Sequence, residues 1–262
     1  MAIRKNVTAQ RTQEILQDLL RDGDVSVNEL AQDLNVSPST VRRSLRSLHA
    51  QGLLRRRHGG AVTVETSMYE PFRFDADFLE RESYYADEKR RIGLAAGEMV
   101  NDGDVVALSA GTTTTQVARA LKLRNVTIVT NAVNIAMELA RSATVRVFLT
   151  GGFVSGGWFS ILGPAALDTI ATTEIDIAFI GVDGIDIEAG ITVEHPDEAD
   201  VNAAMLHQAC KKVVVCDRSK LNRVTPSFIC SISLIDHFIT DIGADVDFCR
   251  TITTQKDNVQ RV

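Results

Sequence analysis

The sequence reads as an α/β protein in two parts: an N-terminal winged helix-turn-helix, then an open, largely parallel α/β sheet domain. Three observations carry this. The first sixty residues contain two closely spaced helix starts, each with its own cap, followed by a hairpin around a glycine pair. From Val105 onward short apolar runs alternate with helical stretches, the pattern of parallel strands covered on both faces by helices. Charge divides along the same line. Residues 1–60 hold 10 Lys/Arg against 6 Asp/Glu, a balance of +4, and the remainder carries −10. A polyanion is attracted to the first part and repelled by the second.

In the first part, Ile15, Leu16, Leu19 and Leu20 form a helical stripe that Asp22-Gly23-Asp24 ends. Ser26-Val27-Asn28-Glu29 has the form of a capping box, which satisfies orphan amides at a helix start. Leu30, Ala31 and Leu34 supply that helix's inner face, and Asn35 suits the left-handed conformation that closes it. Ser37-Pro38 is a cap followed by proline at the first helical position. The third helix turns Val41, Leu45 and Leu48 to one side and is expected to break at Gly52. Two short β-prone runs, Leu53–Arg57 and Ala61–Val64, flank His58-Gly59-Gly60 and form the wing.

Residues 65–80 lack a sustained period, so the expected division is 1–64 for the DNA-binding domain, 65–82 for a linker and 83–262 for the sheet domain. Helix resumes near Ser83 and stops at Asn101-Asp102-Gly103-Asp104. The expected strands are Val105–Leu108, Val126–Val129, Val145–Leu149, Ile175–Ile180, Lys212–Cys216 and His237–Thr240. Helical patterns near 114–122, 132–141, 164–171 and 197–210 separate most of them.

Composition narrows the function classes. With 45% hydrophobic and 24% charged residues among 262, the chain is globular rather than disordered. No apolar run approaches the roughly 20 residues needed to cross a bilayer, and no secretory signal is visible, so a cytoplasmic protein without membrane contact is expected. The four cysteines form no Cys-x-x-Cys pair and do not cluster with the five histidines, so neither a metal site nor a disulfide framework is expected. No cofactor is expected.

On the third helix Ser39, Thr40, Arg42, Arg43 and Arg46 lie off the apolar stripe, and Ser37 caps it. Such helices enter the major groove by their N-terminal residues, where arginine donates two bonds to guanine. Arg55, Arg56, Arg57 and His58 of the wing are placed to meet phosphates or the minor groove. The plain alternative is a solvated charged face.

In the second part, strand Val105–Leu108 leads into Ser109-Ala110-Gly111-Thr112-Thr113-Thr114-Thr115 and a helix. Backbone amides, a helix N-terminus and several hydroxyls there suit a phosphate. It is not a Walker A loop, because no Gly-Lys-Ser/Thr follows. Thr130-Asn131, Gly151-Gly152 and Gly181-Val182-Asp183-Gly184 follow other strands, and ligands of open parallel sheets sit outside those carboxyl ends. Glu198 opens a helix, and Lys220 follows a strand where it can hold a phosphate or a sugar hydroxyl as a point charge. Against this stand tight turns for the glycines and a surface salt bridge for the lysine.

Val36-Ser37-Pro38-Ser39-Thr40-Val41-Arg42-Arg43-Ser44-Leu45, followed by Gly52-Leu53-Leu54-Arg55-Arg56 and His58-Gly59-Gly60-Ala61, resembles the signature of the DeoR family of transcription regulators. Ser44 departs from it, standing where the family commonly has aspartate, which bears on an intrahelical or phosphate contact. The second part is similar to the DeoR-type sensor domain in Gly111-Thr112-Thr113, Thr130-Asn131, Gly151-Gly152, Gly163-Pro164, Phe179-Ile180-Gly181-Val182-Asp183-Gly184, Glu198-Ala199, Met205 and Asp217-Arg218-Ser219-Lys220. That domain resembles ribose-5-phosphate isomerase, and the resemblance runs to about residue 245. It implies a repressor of carbohydrate metabolism whose hold on double-stranded operator DNA weakens when a phosphorylated sugar or related intermediate binds. Ser109 and Asn202 depart from the pattern, where aspartate and lysine are usual.

Two other readings remain open at this stage. An isomerase-like enzyme with an appended DNA module would need a base such as Asp183 or Glu198, but no carboxylate–histidine constellation accompanies them, so no catalytic residues are expected. A DNA-binding scaffold without a ligand is the other. A single winged module offers little contact area, so a homo-oligomer, dimer or tetramer, on repeated half-sites is expected.

Overall fold

The computed structural model describes residues 11–12, 14–19, 21–50, 53–57, 59–62, 76–154, 159–253 and 258–262. The chain divides into two compact units, residues 1–72 and 73–262.

In the first unit Ile15, Leu16 and Leu19 are buried with Leu30, Val41, Leu45, Leu48 and Leu54. Leu20, Gly52, His58, Thr63 and Val64, which the sequence reading used, lie outside the described residues. Helices Val27–Asp33 and Pro38–Ala50 form the helix-turn-helix. The Ser26 hydroxyl accepts from the Asn28 amide at 3.3 Å, and Asn35 has φ 48°, the left-handed turn expected of it. The wing is a hairpin of Arg55–Arg57 and Gly60–Val62. A third strand, Asp24–Ser26, pairs with Gly60–Val62 and leaves that strand in the centre. This explains Gly60: a Cβ there would sit 2.0 Å from the Val25 carbonyl oxygen, so any side chain would force the wing off its partner.

The second unit is built on seven strands in one fully parallel sheet. Their spatial order is Val259–Arg261, His237–Thr240, Ala209–Val215, Ile175–Ile180, Val105–Leu108, Thr127–Thr130, Arg146–Leu149. All six expected strands are present. Val259–Arg261 adds an edge strand that was not expected, and Ala209–Val215 begins directly after helix Pro196–Gln208, three residues before the expected Lys212. Side chains alternate between faces, as the pleat requires. Val106 and Leu108 join Ile92, Val117 and Leu121 of helices Ala86–Glu98 and Thr112–Ala120 and the connection after them, while Ala107 packs with Ile170 and Met205 on the opposite face. Smaller antiparallel elements were also not expected: the pair Phe153–Val154 with Ile161–Leu162, and Gly184–Asp186, Gly190–Val193 and Ser227–Cys230. Among the described residues no helix is long and apolar enough to cross a membrane.

The expected linker needs correction at its end. Residues 76–82 lie in helix Ala76–Ser83, whose Phe78 is buried and meets Phe159 edge-on at 5.2 Å between ring centroids. A tertiary aromatic contact, absent from any local periodicity, fixes this helix. The next helix, Ala86–Glu98, starts after Tyr85, which has φ 54°.

Candidate functional site

Helix Pro38–Ala50 has two chemically distinct faces. Val41, Leu45 and Leu48 are buried, whereas Arg42, Arg43 and Arg46 are exposed. Ser37 closes the N-terminus: its hydroxyl accepts from the Thr40 amide at 3.3 Å and lies 2.8 Å from the Ser39 and 2.9 Å from the Thr40 hydroxyls. That first turn therefore presents hydroxyls beside three guanidinium groups. Ser44 is buried on the inward face, so its departure from the family pattern does not bear on a phosphate contact. Arg55, Arg56 and Arg57 are all exposed on the wing strand, with Arg57 paired to Asp24.

The second unit holds a cavity of about 420 Å³ at the carboxyl edge of its sheet. Its place follows from the strand order. Val105–Leu108 lies between Ile175–Ile180 and Thr127–Thr130, and the direction of winding reverses there, so the chains leaving the two neighbouring ends diverge and open a crevice. Ser109 ties those ends together: its amide donates to the Phe179 carbonyl at 3.2 Å, and its hydroxyl accepts from the Gly181 amide at 3.0 Å. Gly111 then turns at φ 151°, a conformation that glycine accommodates, and hands the chain to helix Thr112–Ala120. The Gly111 carbonyl accepts from the Thr114 and Thr115 hydroxyls at 3.0 and 2.7 Å, so these buried threonines hold the loop rather than line the cavity.

Seven of the twelve ligand-site residues expected from sequence surround this cavity: Gly111, Thr112, Thr113, Asn131, Asp183, Glu198 and Lys220. Asn131 also accepts from the Ala110 amide at 3.1 Å. Thr114, Thr130, Gly151, Gly152 and Gly184 are not among its lining residues. Thr130 is fully buried and donates to the Leu108 carbonyl at 2.6 Å. Gly152 meets the Leu162 carbonyl at the small hairpin, and Gly184 stands where a Cβ would lie 2.4 Å from the Arg223 carbonyl, so both are turn and packing positions.

Sequence reasoning missed the wall opposite the loops. Phe78, Arg81, Tyr84, Tyr85 and Lys89 come from the helix pair at the start of this unit, and Arg223 from a loop. Their one legible trace is that two of the chain's three tyrosines, Tyr84 and Tyr85, are adjacent. Charge in the cavity is organised in pairs. Asp183 Oδ1 lies 3.4 Å from the Arg81 guanidinium and 3.5 Å from the Lys220 ammonium, while its Oδ2 accepts from the Glu194 amide at 3.2 Å. The Lys89 ammonium, almost fully buried, lies 3.8 Å from Asp217 and donates to the carbonyls of Arg81 and of Tyr84, the latter at 2.7 Å. Burial pushes its pKa below the ordinary lysine value, with Asp217 opposing. Burial likewise raises the Glu198 carboxyl, against a hydrogen bond from the Ser160 hydroxyl at 3.0 Å. Burial pushes the Cys216 thiol well up, which keeps it protonated. The cavity lining thus sets four basic side chains, Arg81, Lys89, Lys220 and Arg223, against three acidic ones, Asp183, Asp217 and Glu198, and Arg223 also pairs with Glu194 at 3.0 Å.

A helix-turn-helix followed by a cavity-bearing α/β unit is the architecture of a transcription regulator. Residues 11–67 match the profile of the DeoR-like helix-turn-helix domain, and residues 85–242 that of the DeoR C terminal sensor domain; the chain belongs to the DeoR family. It is 37% identical over 241 residues to the HTH-type transcriptional regulator GlpR of Haloferax volcanii, covering 91% of this chain and 92% of that one. It is 31% identical over 245 residues to the glycerol-3-phosphate regulon repressor of Escherichia coli K12, covering 93% and 95%. Among solved structures, ribose 5-phosphate isomerase A of Methanocaldococcus jannaschii is 20% identical with a TM-score of 0.38, over 52% of this chain and 55% of that one. The family is regulatory, and the relatives it matches are named transcriptional regulators and repressors, which sets the enzyme alternative aside.

Proposed function

We propose that this protein represses transcription by binding operator DNA through its first unit, and that a phosphorylated sugar or related metabolite in the second unit's cavity controls that binding. Ser37, Ser39, Thr40, Arg42, Arg43 and Arg46 are the reading residues of the helix, with Arg55, Arg56, Arg57 and His58 on the backbone side. Residues 1–64 form the reading domain, and the sensor domain takes in residues 76–82 along with 83–262. The observation that carries the effector class is the gathering of basic side chains around this cavity. A helix N-terminus and the Gly111–Thr113 loop face four basic side chains around a volume suited to a small metabolite.

A melting screen tests this directly. Glycerol 3-phosphate, pentose phosphates and hexose phosphates are each compared with their unphosphorylated counterparts. A true effector at 100 times its dissociation constant adds about 2.7 kcal/mol and raises the midpoint visibly, whereas the unphosphorylated partner leaves it in place. The same compound must shift the mobility-shift curve of an operator fragment, and Lys220→Ala must blunt that shift while sparing DNA affinity. A screen in which no phosphorylated metabolite raises the midpoint refutes the proposal.

A further inference from the structure

We propose that Arg81 is a ligand-binding residue that exchanges Asp183 for the anionic group of the bound metabolite, and that this exchange makes helix Ala76–Ser83 the latch through which occupancy is felt. The inference rests on reading the cavity as the effector site.

Asp183 presents one carboxylate oxygen to two cations, Arg81 at 3.4 Å and Lys220 at 3.5 Å. Both contacts are longer than the roughly 2.7–2.9 Å of a strong charge-assisted bond. A phosphate carries more charge and more acceptor oxygens than a carboxylate, and it matches the guanidinium fork in two places. Entering between Arg81 and Lys220, it competes with Asp183 for both, and the exchange favours the phosphate.

What makes Arg81 more than one cation among four is its mounting. The Lys89 ammonium donates to the carbonyls of Arg81 and Tyr84 and so closes the C-terminal end of helix Ala76–Ser83 from inside the cavity wall. The next residue, Tyr85, is a non-glycine in the left-handed region, and the Arg218 guanidinium stacks 4.5 Å from its ring centroid. The turn is thus a stiff elbow that passes a displacement of Arg81 to the helix instead of absorbing it. Glu82, one residue on, pairs with Arg119 at 2.9 Å, tying the same helix to Thr112–Ala120, whose N-terminus is the anion loop. Helix Ala76–Ser83 is also the first described element that the chain reaches after the DNA-reading unit. Occupancy that re-seats Arg81 therefore acts on the covalent path between the two units.

Full-length wild type, Arg81→Gln and Arg81→Lys are titrated with glycerol 3-phosphate, ribose 5-phosphate and inorganic phosphate, and amide hydrogen exchange is followed at residues 76–85 and 110–115. Arg81 is one-third exposed, so both variants should melt close to wild type. We expect Arg81→Gln to weaken the best wild-type probe by about tenfold or more, with Arg81→Lys between. At saturation, protection at 110–115 persists in every variant, whereas the response at 76–85 is lost in Arg81→Gln. Equal affinity, or a response at 76–85 like that of wild type, overturns the latch while protection at 110–115 leaves the effector site standing. If no probe protects 110–115 in the wild type, both fail.

Discussion

Glu198 shows how one buried carboxyl would set the conditions under which the proposed effector binds. Its pKa is raised first by burial and further by the negative charge of Asp183, against the Ser160 hydroxyl, His195 and Arg81. The folded state therefore holds a proton that the unfolded chain gives up. The stability this contributes is complete below the ordinary carboxylate pKa and is lost as pH rises through the raised folded value. Binding follows the same proton. As pH rises through that value, Glu198 becomes an anion beside the ligand and opposes it. A sugar phosphate meanwhile gains its second negative charge near pH 6, which works the other way. Glu198→Gln separates the two effects. Calorimetric titration from acidic to neutral pH should show affinity climbing more steeply in the variant than in wild type. Parallel pH profiles would remove Glu198 from the neighbourhood of the ligand's charge.

Helices Ala76–Ser83, Thr112–Ala120 and Val133–Leu139 meet through a buried ion cluster that secures the anion loop. Arg119 forks onto Glu138 at 2.6–3.0 Å and also reaches Glu82, and Lys122 approaches Glu138 at 3.1 Å. Glu138 is 4% exposed, so removing its carboxylate takes from the largely buried cations Arg119 and Lys122 the acid they share. Glu138→Ala should cost about 3–5 kcal/mol in denaturant unfolding. A loss below about 1 kcal/mol would mean that water already screens the cluster. This cluster also marks where sequence reading ran out. The six expected strands and the loops at several of their carboxyl ends were legible, because parallel strands are apolar runs and small or polar residues such as Gly111-Thr112-Thr113, Gly151-Gly152 and Gly181 follow them. Helix Ala76–Ser83 was not, because its place depends on Phe159, Asp183 and Arg119, all distant in the chain. The three-residue strands Asp24–Ser26 and Val259–Arg261 are too short for a period of two to show, and Ser26 doubles as a cap. For the same reason the sequence placed glycines in the site by their position after strands, while Arg81 and Lys89 sat unnoticed in a charged helical stretch.

Charge is distributed so that the acidic sensor, at −10, keeps the protein from clinging to nucleic acid indiscriminately, while the +4 of residues 1–60 is left to act on one patch of duplex. One recognition helix with Arg42, Arg43 and Arg46 reaches only a few base pairs, too few for the affinity of a specific repressor. We propose that symmetric copies on repeated half-sites solve this, so that each arginine counts once per half-site. Arg42→Ala or Arg43→Ala should therefore cost about 1–3 kcal/mol at a single half-site and close to twice that on the complete operator, with the loss confined to the cognate sequence. Paired mobility-shift titrations on half and complete operators measure the ratio, and sedimentation at the same concentrations gives the species that binds. Tight binding by a sedimenting monomer, with equal losses on both fragments, would show that one winged module suffices.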